Sequence, residues 1–328
     1  MTDVKIQFDH VGKVFDNDFR AVDDFCLDVE EGETVVLLGR SGCGKTTTLK
    51  MVNRLFEITE GEIRIDDKSI MDQDVIELRR NIGYAIQHIG LFPHMTVGEN
   101  ISVVPRLLKW DRERIKERVD HLLEMVGLDP EETRDRFPNQ LSGGQKQRIG
   151  VARALAADPP VILMDEPFGA LDPITREGIQ QEFLDLESEI QKTILFVTHD
   201  LFEAVRMGDR IALMDEGHIQ QLATPAELVD NPANEFVDQF LGQHRFQLSL
   251  LTRPIRSVVD EEGQESAPDE KPEDILYMSD SLVEALDLLK RSGKDELPVY
   301  RAKEFKGRLK KEKLVRAVSE VLGGLESA

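Results

Sequence analysis

Long apolar runs, cysteines and surplus basic charge are all scarce in this chain of 328 residues, and each shortage excludes something. The longest apolar runs, such as Val35-Val36-Leu37-Leu38 and Val161-Ile162-Leu163-Met164, are strand-sized. A helix crossing a bilayer needs about 20 consecutive apolar residues, so none is expected here. The opening Met1-Thr2-Asp3-Val4-Lys5 has neither the basic flank nor the apolar core of a secretory signal, which places the expected protein in the cytosol. Any membrane role must then come through a partner. The two cysteines, Cys26 and Cys43, have no metal-like spacing and read as free thiols. A formal net charge of −22 argues against general affinity for nucleic acid, because phosphate neutralisation needs a surplus of Lys and Arg.

What is present has the order of an α/β protein, long enough for one large core and a small second domain. The first stretch alternates, with Val4, Ile6 and Phe8 and then Val11, Val14 and Phe15 among polar residues, as half-buried antiparallel strands do. A continuous apolar strand follows from Thr34 to Leu38. Later apolar strands at Val161 to Met164, Thr193 to Thr198 and Arg210 to Met214 are separated by helical patterns, which predicts a parallel sheet with crossover helices. Between about residues 88 and 158 the pattern is helical, with Ile115, Val119, Leu122, Leu123 and Val126 on one face. Residues 1–242 therefore read as one domain and 243–328 as a second unit, with a Pro/Glu/Asp/Ser-rich flexible insertion at 260–273.

The strand from Thr34 runs straight into Gly39-Arg40-Ser41-Gly42-Cys43-Gly44-Lys45-Thr46-Thr47 and then a helix. That matches G-x-x-x-x-G-K-[ST] in its confirming context. Glycines let backbone N–H groups turn inward around a polyphosphate, and the helix start adds its positive end. Lys45 is expected to reach the outer phosphates and Thr46 to ligate Mg²⁺. A second strand, Val161 to Met164, delivers Asp165 and Glu166 at its carboxyl end, where ligands of parallel sheets collect. Asp165 suits the metal's water shell, and Glu166 is placed to polarise an attacking water. Leu141-Ser142-Gly143-Gly144-Gln145 opens another helix with free N–H donors suited to an anion, although Ser-Gly-Gly by itself is more often plain capping.

Taken together, these segments resemble the ATPase of ABC transporters, with Walker A at Gly39 to Thr46, the signature at Leu141 to Gln145 and Walker B at Val161 to Asp165. The resemblance covers roughly residues 4 to 242. It implies a P-loop ABC-ATPase core with an antiparallel N-terminal β subdomain and an inserted helical subdomain. It also implies further roles: Gln87 as the Q-loop glutamine near Mg²⁺ and water, Asp172 as the D-loop aspartate, His199 as the switch histidine at the γ-phosphate, and Phe15 stacking on adenine. A head-to-tail homodimer is implied, in which Ser142, Gly143, Gly144 and Gln145 act in trans. ATP would close that dimer and hydrolysis would release it, driving a separate transmembrane permease from the cytoplasmic face of the cell membrane. A non-transport ABC ATPase usually carries two cassettes or a coiled-coil insertion, and exporters commonly fuse the ATPase to membrane helices; this sequence has none of these.

The segment from Gln87 to Ile101 resembles the importers of glycine betaine, choline, carnitine and related osmoprotectants, while its Leu-Phe-Pro-His at Leu91 to His94 is shared with polyamine importers. Leu91 and Phe92 fit either a groove for a permease helix or the subdomain's core. An extracytoplasmic solute-binding protein or domain is implied alongside the permease. Ser281 to Lys290 followed by Glu296 to Tyr300 resembles one CBS repeat, but Lys306-Gly307-Arg308-Leu309-Lys310 stands where that module has an apolar strand, so a packing domain is the competing reading. Basic residues crowd the segment from Arg301 to Arg316. Contact with anionic lipid or with the acidic ATPase surface would weaken as salt rises, since the screening length falls from about 10 Å at 0.1 M to about 3 Å at 1 M. A solvated basic face is the plain alternative.

Overall fold

The computed structural model describes residues 3–86, 90–169, 171, 176, 178–184, 192–259, 274–301 and 304–326. They divide into two compact units, Met1–Leu222 and Ala223–Ala328.

In the first unit, the alternating N-terminal residues form β1 (Val4–Val14) and β2 (Arg20–Glu30), joined by β4 (Glu60–Ile65) and β5 (Lys68–Ser69) in the antiparallel order β2-β1-β4-β5. The second sheet has the order β10-β9-β3-β8-β7-β6. Its strands are β3 (Thr34–Gly39), β6 (Ile82–Ala85), β7 (Val161–Asp165), β8 (Thr193–Thr198), β9 (Arg210–Asp215) and β10 (His218–Ala223). Pairings from β9 through β3, β8 and β7 to β6 are all parallel. Every residue of β3, β7 and β8 is buried, which is why those strands are apolar on both faces.

Val35 and Leu37 of β3, Leu163 of β7 and Leu195 and Val197 of β8 share one core with Ile6, Phe8, Phe25 and Ile63 of the antiparallel layer. Phe8 and Phe25 meet edge to face at 5.1 Å in that core. Leu49 of α1 (Lys45–Val52) belongs to the same cluster, so the helix after the glycine loop is fixed by apolar burial. After α2 (Val75–Arg80) and β6, the chain passes through α3 (Val97–Ile101), α4 (Val103–Leu107), α5 (Arg112–Met125), α6 (Pro130–Thr133) and α7 (Gly143–Leu155). Val119, Leu122 and Leu123 form the buried face of α5, as their spacing predicts. Helix α8 (Leu201–Met207) returns the chain from β8 to β9.

The second unit opens with α9 (Pro225–Asp230), α10 (Glu235–Leu241) and α11 (Arg245–Thr252). Arg245 ties these together, donating to the Val229 and Asp230 carbonyls and to Asp238. A small sheet then forms, with β11 (Leu276–Tyr277) parallel to β12 (Glu296–Arg301) and β12 antiparallel to β13 (Glu304–Lys310). Helix α12 (Leu282–Ser292) starts in a Ser281/Glu284 capping box and ends at left-handed Gly293, and α13 (Lys311–Glu326) closes the unit. The basic segment Lys306 to Lys310 is a strand after all. Only Gly307 and Leu309 turn inward, while Arg308 pairs with Glu296 and Lys306 with Glu304. The insertion at 260–273 lies outside the described residues.

Candidate functional site

Three neighbouring parallel strands, β3, β8 and β7, bring their carboxyl ends to one edge of the sheet. At β3 the chain turns through Gly39, whose φ of +153° and missing Cβ are both required, because a Cβ would lie 2.3 Å from the Met214 carbonyl oxygen. Arg40, Ser41 and Gly42 form the exposed crown of the loop, whereas Cys43 and Gly44 turn back into the protein. The Cys43 N–H donates to the Arg40 carbonyl at 3.3 Å, and Gly44 N-caps α1. Lys45 is buried, and its Nζ donates to the carbonyls of Gly39 at 2.7 Å and Arg40 at 2.9 Å. Those bonds hold the ammonium inside the loop's curve. Thr47 sits half-buried on the first turn of α1.

At the end of β7, Asp165 accepts a 2.8 Å hydrogen bond from the Thr46 hydroxyl, joining two segments 119 residues apart. Burial pushes the Asp165 carboxyl up, as does nearby Glu166, while the Thr46 hydroxyl, Lys50 and Lys45 pull it down. Glu166 takes a left-handed φ of 45°, and its N–H donates to the Val197 carbonyl of β8 at 2.9 Å. Its carboxylate lies 3.2 Å from Nδ1 of His199, which follows β8 directly. Asp165, Thr46, Lys45, Glu166 and His199 are thus gathered at these strand ends, whereas Gln87 and Asp172 lie outside the described residues.

The turn carrying His199 is fixed by residues that belong to none of the sequence motifs. The Thr198 hydroxyl accepts the Asp200 N–H at 3.0 Å and hydrogen-bonds the Glu203 carboxylate. Glu203 is buried and also accepts from Gln180 Nε2 at 3.0 Å. Burial raises the Glu203 carboxyl above the ordinary range, and the Thr198 and Gln180 bonds offset part of that. Arg176 reaches the same turn, with Nη1 3.5 Å from Asp200 and Nη2 donating to the Leu171 carbonyl. Arg176 and Gln180 have ordinary helical spacing in the sequence, and only packing brings them against Asp200 and Glu203.

The Leu141 to Gln145 segment has a different environment. Ser142 caps α7 and Gln145 answers it, each side chain bonding the other's N–H at 3.2 and 3.0 Å. Ser142 and Gly143 are exposed, Gly144 is half-buried, and by helix geometry the N–H groups of the two glycines have no intrahelical acceptor. Further along α7, Arg153 donates to the Gly90 carbonyl at 2.7 Å, and burial lowers its pKa. Phe92 is 41% exposed, and the buried Asn100, another residue the sequence did not single out, bonds its backbone on both sides. Half-buried Phe15 packs edge-on to Phe56 at 5.4 Å, with Lys13 Nζ 5.2 Å from its ring centre.

A buried strand, a glycine loop closed on its own lysine, and an acid at a neighbouring strand end joined to the loop's threonine define a P-loop nucleotide-binding fold. The family model described as ABC transporter matches residues 22–169. The chain is 55% identical over 249 residues to the glycine betaine/carnitine/choline transport ATP-binding protein OpuCA of Bacillus subtilis, covering 76% of this chain and 64% of that protein. It is 49% identical over 294 residues to the glycine betaine uptake system ATP-binding protein YehX of Escherichia coli, covering 90% and 93%. A dimeric ATP-binding cassette solved in a post-hydrolysis state with ADP and Pi has a TM-score of 0.60 at 37% identity, over 67% of this chain and 98% of that one. The chain belongs to the family of ABC transporter ATP-binding proteins. Among the described residues, no helix is long and apolar enough to cross a membrane.

Proposed function

We propose that this chain is the ATP-hydrolysing subunit of an ABC importer, coupling ATP binding and hydrolysis in a head-to-tail homodimer to uptake of a compatible solute such as glycine betaine through a separate permease. The observation that carries the reading is the convergence of Lys45, the Thr46–Asp165 pair and the Glu166–His199 pair at three adjacent strand ends. The solutes for which OpuCA and YehX are named support the solute class. Residues 39–47 wrap the phosphates, with Phe15 against adenine. Glu166 polarises the attacking water, His199 contacts the γ-phosphate, and Gln87 reports to the permease. Ser142, Gly143, Gly144 and Gln145 close over the partner's nucleotide, and Asp172 serves as the D-loop aspartate.

Thr46, Asp165 and Gln87 would hold Mg²⁺, Asp165 through water, and an all-oxygen set of this kind suits a hard cation. A bound Mg²⁺ neutralises charge developing on the phosphate oxygens. The subunit works at the cytoplasmic face of the membrane, held by its permease, with an extracytoplasmic solute-binding protein or domain supplying substrate. Residues 243–328 form a CBS-like regulatory unit that follows the ATPase domain of 1–242 in the chain. Its strand β13 offers basic residues to anionic lipid, and the half-buried Lys306 and Arg308, paired with the more exposed Glu304 and Glu296, form surface ion pairs of the kind that salt screens.

Glu166→Gln tests the chemical core. Mg²⁺-dependent hydrolysis should fall by about two to four orders of magnitude while ATP-bound dimers accumulate on a sizing column. Unchanged turnover in that variant would remove Glu166 from its role, and with it this reading of the site.

A further inference from the structure

We propose that the outer surface of the antiparallel layer carries a binding site for a thiophilic divalent cation, zinc, formed by His10, Asp24 and Cys26. The placement follows from two irregularities in the β1–β2 ladder. Between the pairs Phe8–Leu27 and Val11–Phe25, Asp9 and His10 face the single residue Cys26; between Val11–Phe25 and Lys13–Val22, Gly12 faces both Asp23 and Asp24. One bulge sits on each strand, and they are adjacent. Phe8, Val11, Phe25 and Leu27 still point into the core, so each bulge adds an outward residue where strict alternation would allow only one.

His10 and Asp24 both adopt left-handed backbone, with φ of 50° and 47°. That conformation costs non-glycine residues about 1 kcal/mol or more and persists only where the surroundings hold it. Behind His10, strand β4 comes so close at Gly61 that a Cβ there would lie 2.1 Å from the His10 carbonyl oxygen. The backbone of the cluster is therefore fixed, while the His10 and Asp24 side chains, 71% and 66% exposed, are free to adjust.

The donor set is specific. His10 Nδ1 lies 2.5 Å from Asp24 Oδ1, the Cys26 sulfur accepts the His10 backbone N–H at 3.3 Å, and the three ligand atoms all fall within 4.8 Å of one another. Zinc bonds of about 2.0–2.3 Å require ligand separations of about 3.3–3.8 Å in a tetrahedron. The His–Asp contact must open by about 1 Å and the sulfur close in, which rotation about exposed χ angles supplies. On the other edge of the ring, the Asp9 carboxylate lies 4.0 Å from Nε2. It is placed to take that N–H, as carboxylates behind zinc-bound histidines do. On binding, the Cys26 thiol releases its proton to solvent and water fills the fourth position.

The test uses the full chain, with Co²⁺ as a spectroscopic probe and Zn²⁺ titrated against a chelating indicator. The native protein should show a thiolate-to-cobalt charge-transfer band and a Zn²⁺-dependent rise in Tm. Cys26→Ser, which retains Cys43, should lose both. His10→Ala and Asp24→Asn should each weaken Zn²⁺ by more than about tenfold, and Asp9→Asn by about tenfold. Because these positions are exposed, melting without metal should match the native protein and separate lost binding from lost fold. A charge-transfer band that survives in Cys26→Ser, or one absent from the native chain, overturns the site.

Discussion

Two glycine-containing helix starts in this chain, Gly39 to Thr46 before α1 and Leu141 to Gln145 before α7, are built on opposite plans. The first is closed. Its lysine is buried and bonded to the loop's own carbonyls, its threonine is bonded to an acid from β7, and its first glycine touches the backbone of β9. The second is open, with an exposed serine and glycine and, among the described residues, no neighbour within 4 Å of where a Cβ on Gly143 would stand. A closed loop can be a pocket within one chain. An open one becomes a site only when another surface covers it, which is the structural counterpart of the proposed action in trans.

Adding one methyl group to each loop separates the two plans most sharply. Gly39→Ala should cost about 2–4 kcal/mol, measured by thermal or urea denaturation, because both the positive φ and the 2.3 Å approach to Met214 oppose it. Gly143→Ala should leave stability within about 0.5 kcal/mol. Its ATP turnover should nevertheless drop by about tenfold or more, since the methyl group occupies the face offered to phosphate. Equal turnover in Gly143→Ala and the native chain would mean the open loop is capping and nothing else.

Ser142→Ala asks how much of the open loop is plain capping. Loss of the reciprocal bonds with Gln145 should destabilise the chain by about 1 kcal/mol, read as a lower denaturant midpoint. The smallest effect concerns Glu203, which supports the closed side of the site. Burial holds its carboxyl above the ordinary range, so the folded state binds more protons than the unfolded chain between those two values. Stability therefore declines as pH rises through that window. Glu203→Gln cannot titrate, so it should gain about 1 kcal/mol or less above the window and nothing below it, in melts recorded from about pH 4 to pH 8. A pH-independent difference would place the effect in packing.

What the sequence disclosed tracks how local the determinants are. Strands β3, β7 and β8 were legible because continuous apolar runs report burial on both faces, and the loop at Gly39 was legible because its glycines and lysine are contiguous. Nothing local marked Glu166 as left-handed, since its turn is tied to the Val197 carbonyl of β8. Glu203 and Gln180 look like ordinary exposed helix residues, and only the packing of two segments 23 positions apart buries them together. Cys26 had no spacing partner in the sequence. His10 and Asp24 reach it through two bulges, and an extra residue in a ladder leaves no signature in composition or period.

The order β3-β8-β7 also governs when the site can come into being. Thr46 and Asp165 are hydrogen-bonded across a sheet whose intervening strand, Thr193–Thr198, is the last of the three in the chain. A nascent polypeptide that has emerged only as far as Asp165 has both partners but lacks the strand that sets their separation. Assembly must wait for at least 28 further residues to reach Thr193 (193 − 165), and then for two parallel pairings to form at once. Such non-local pairings form slowly, and unpaired strand edges are exposed meanwhile. Placing the youngest strand in the middle makes nucleotide capture a late event in the birth of this protein.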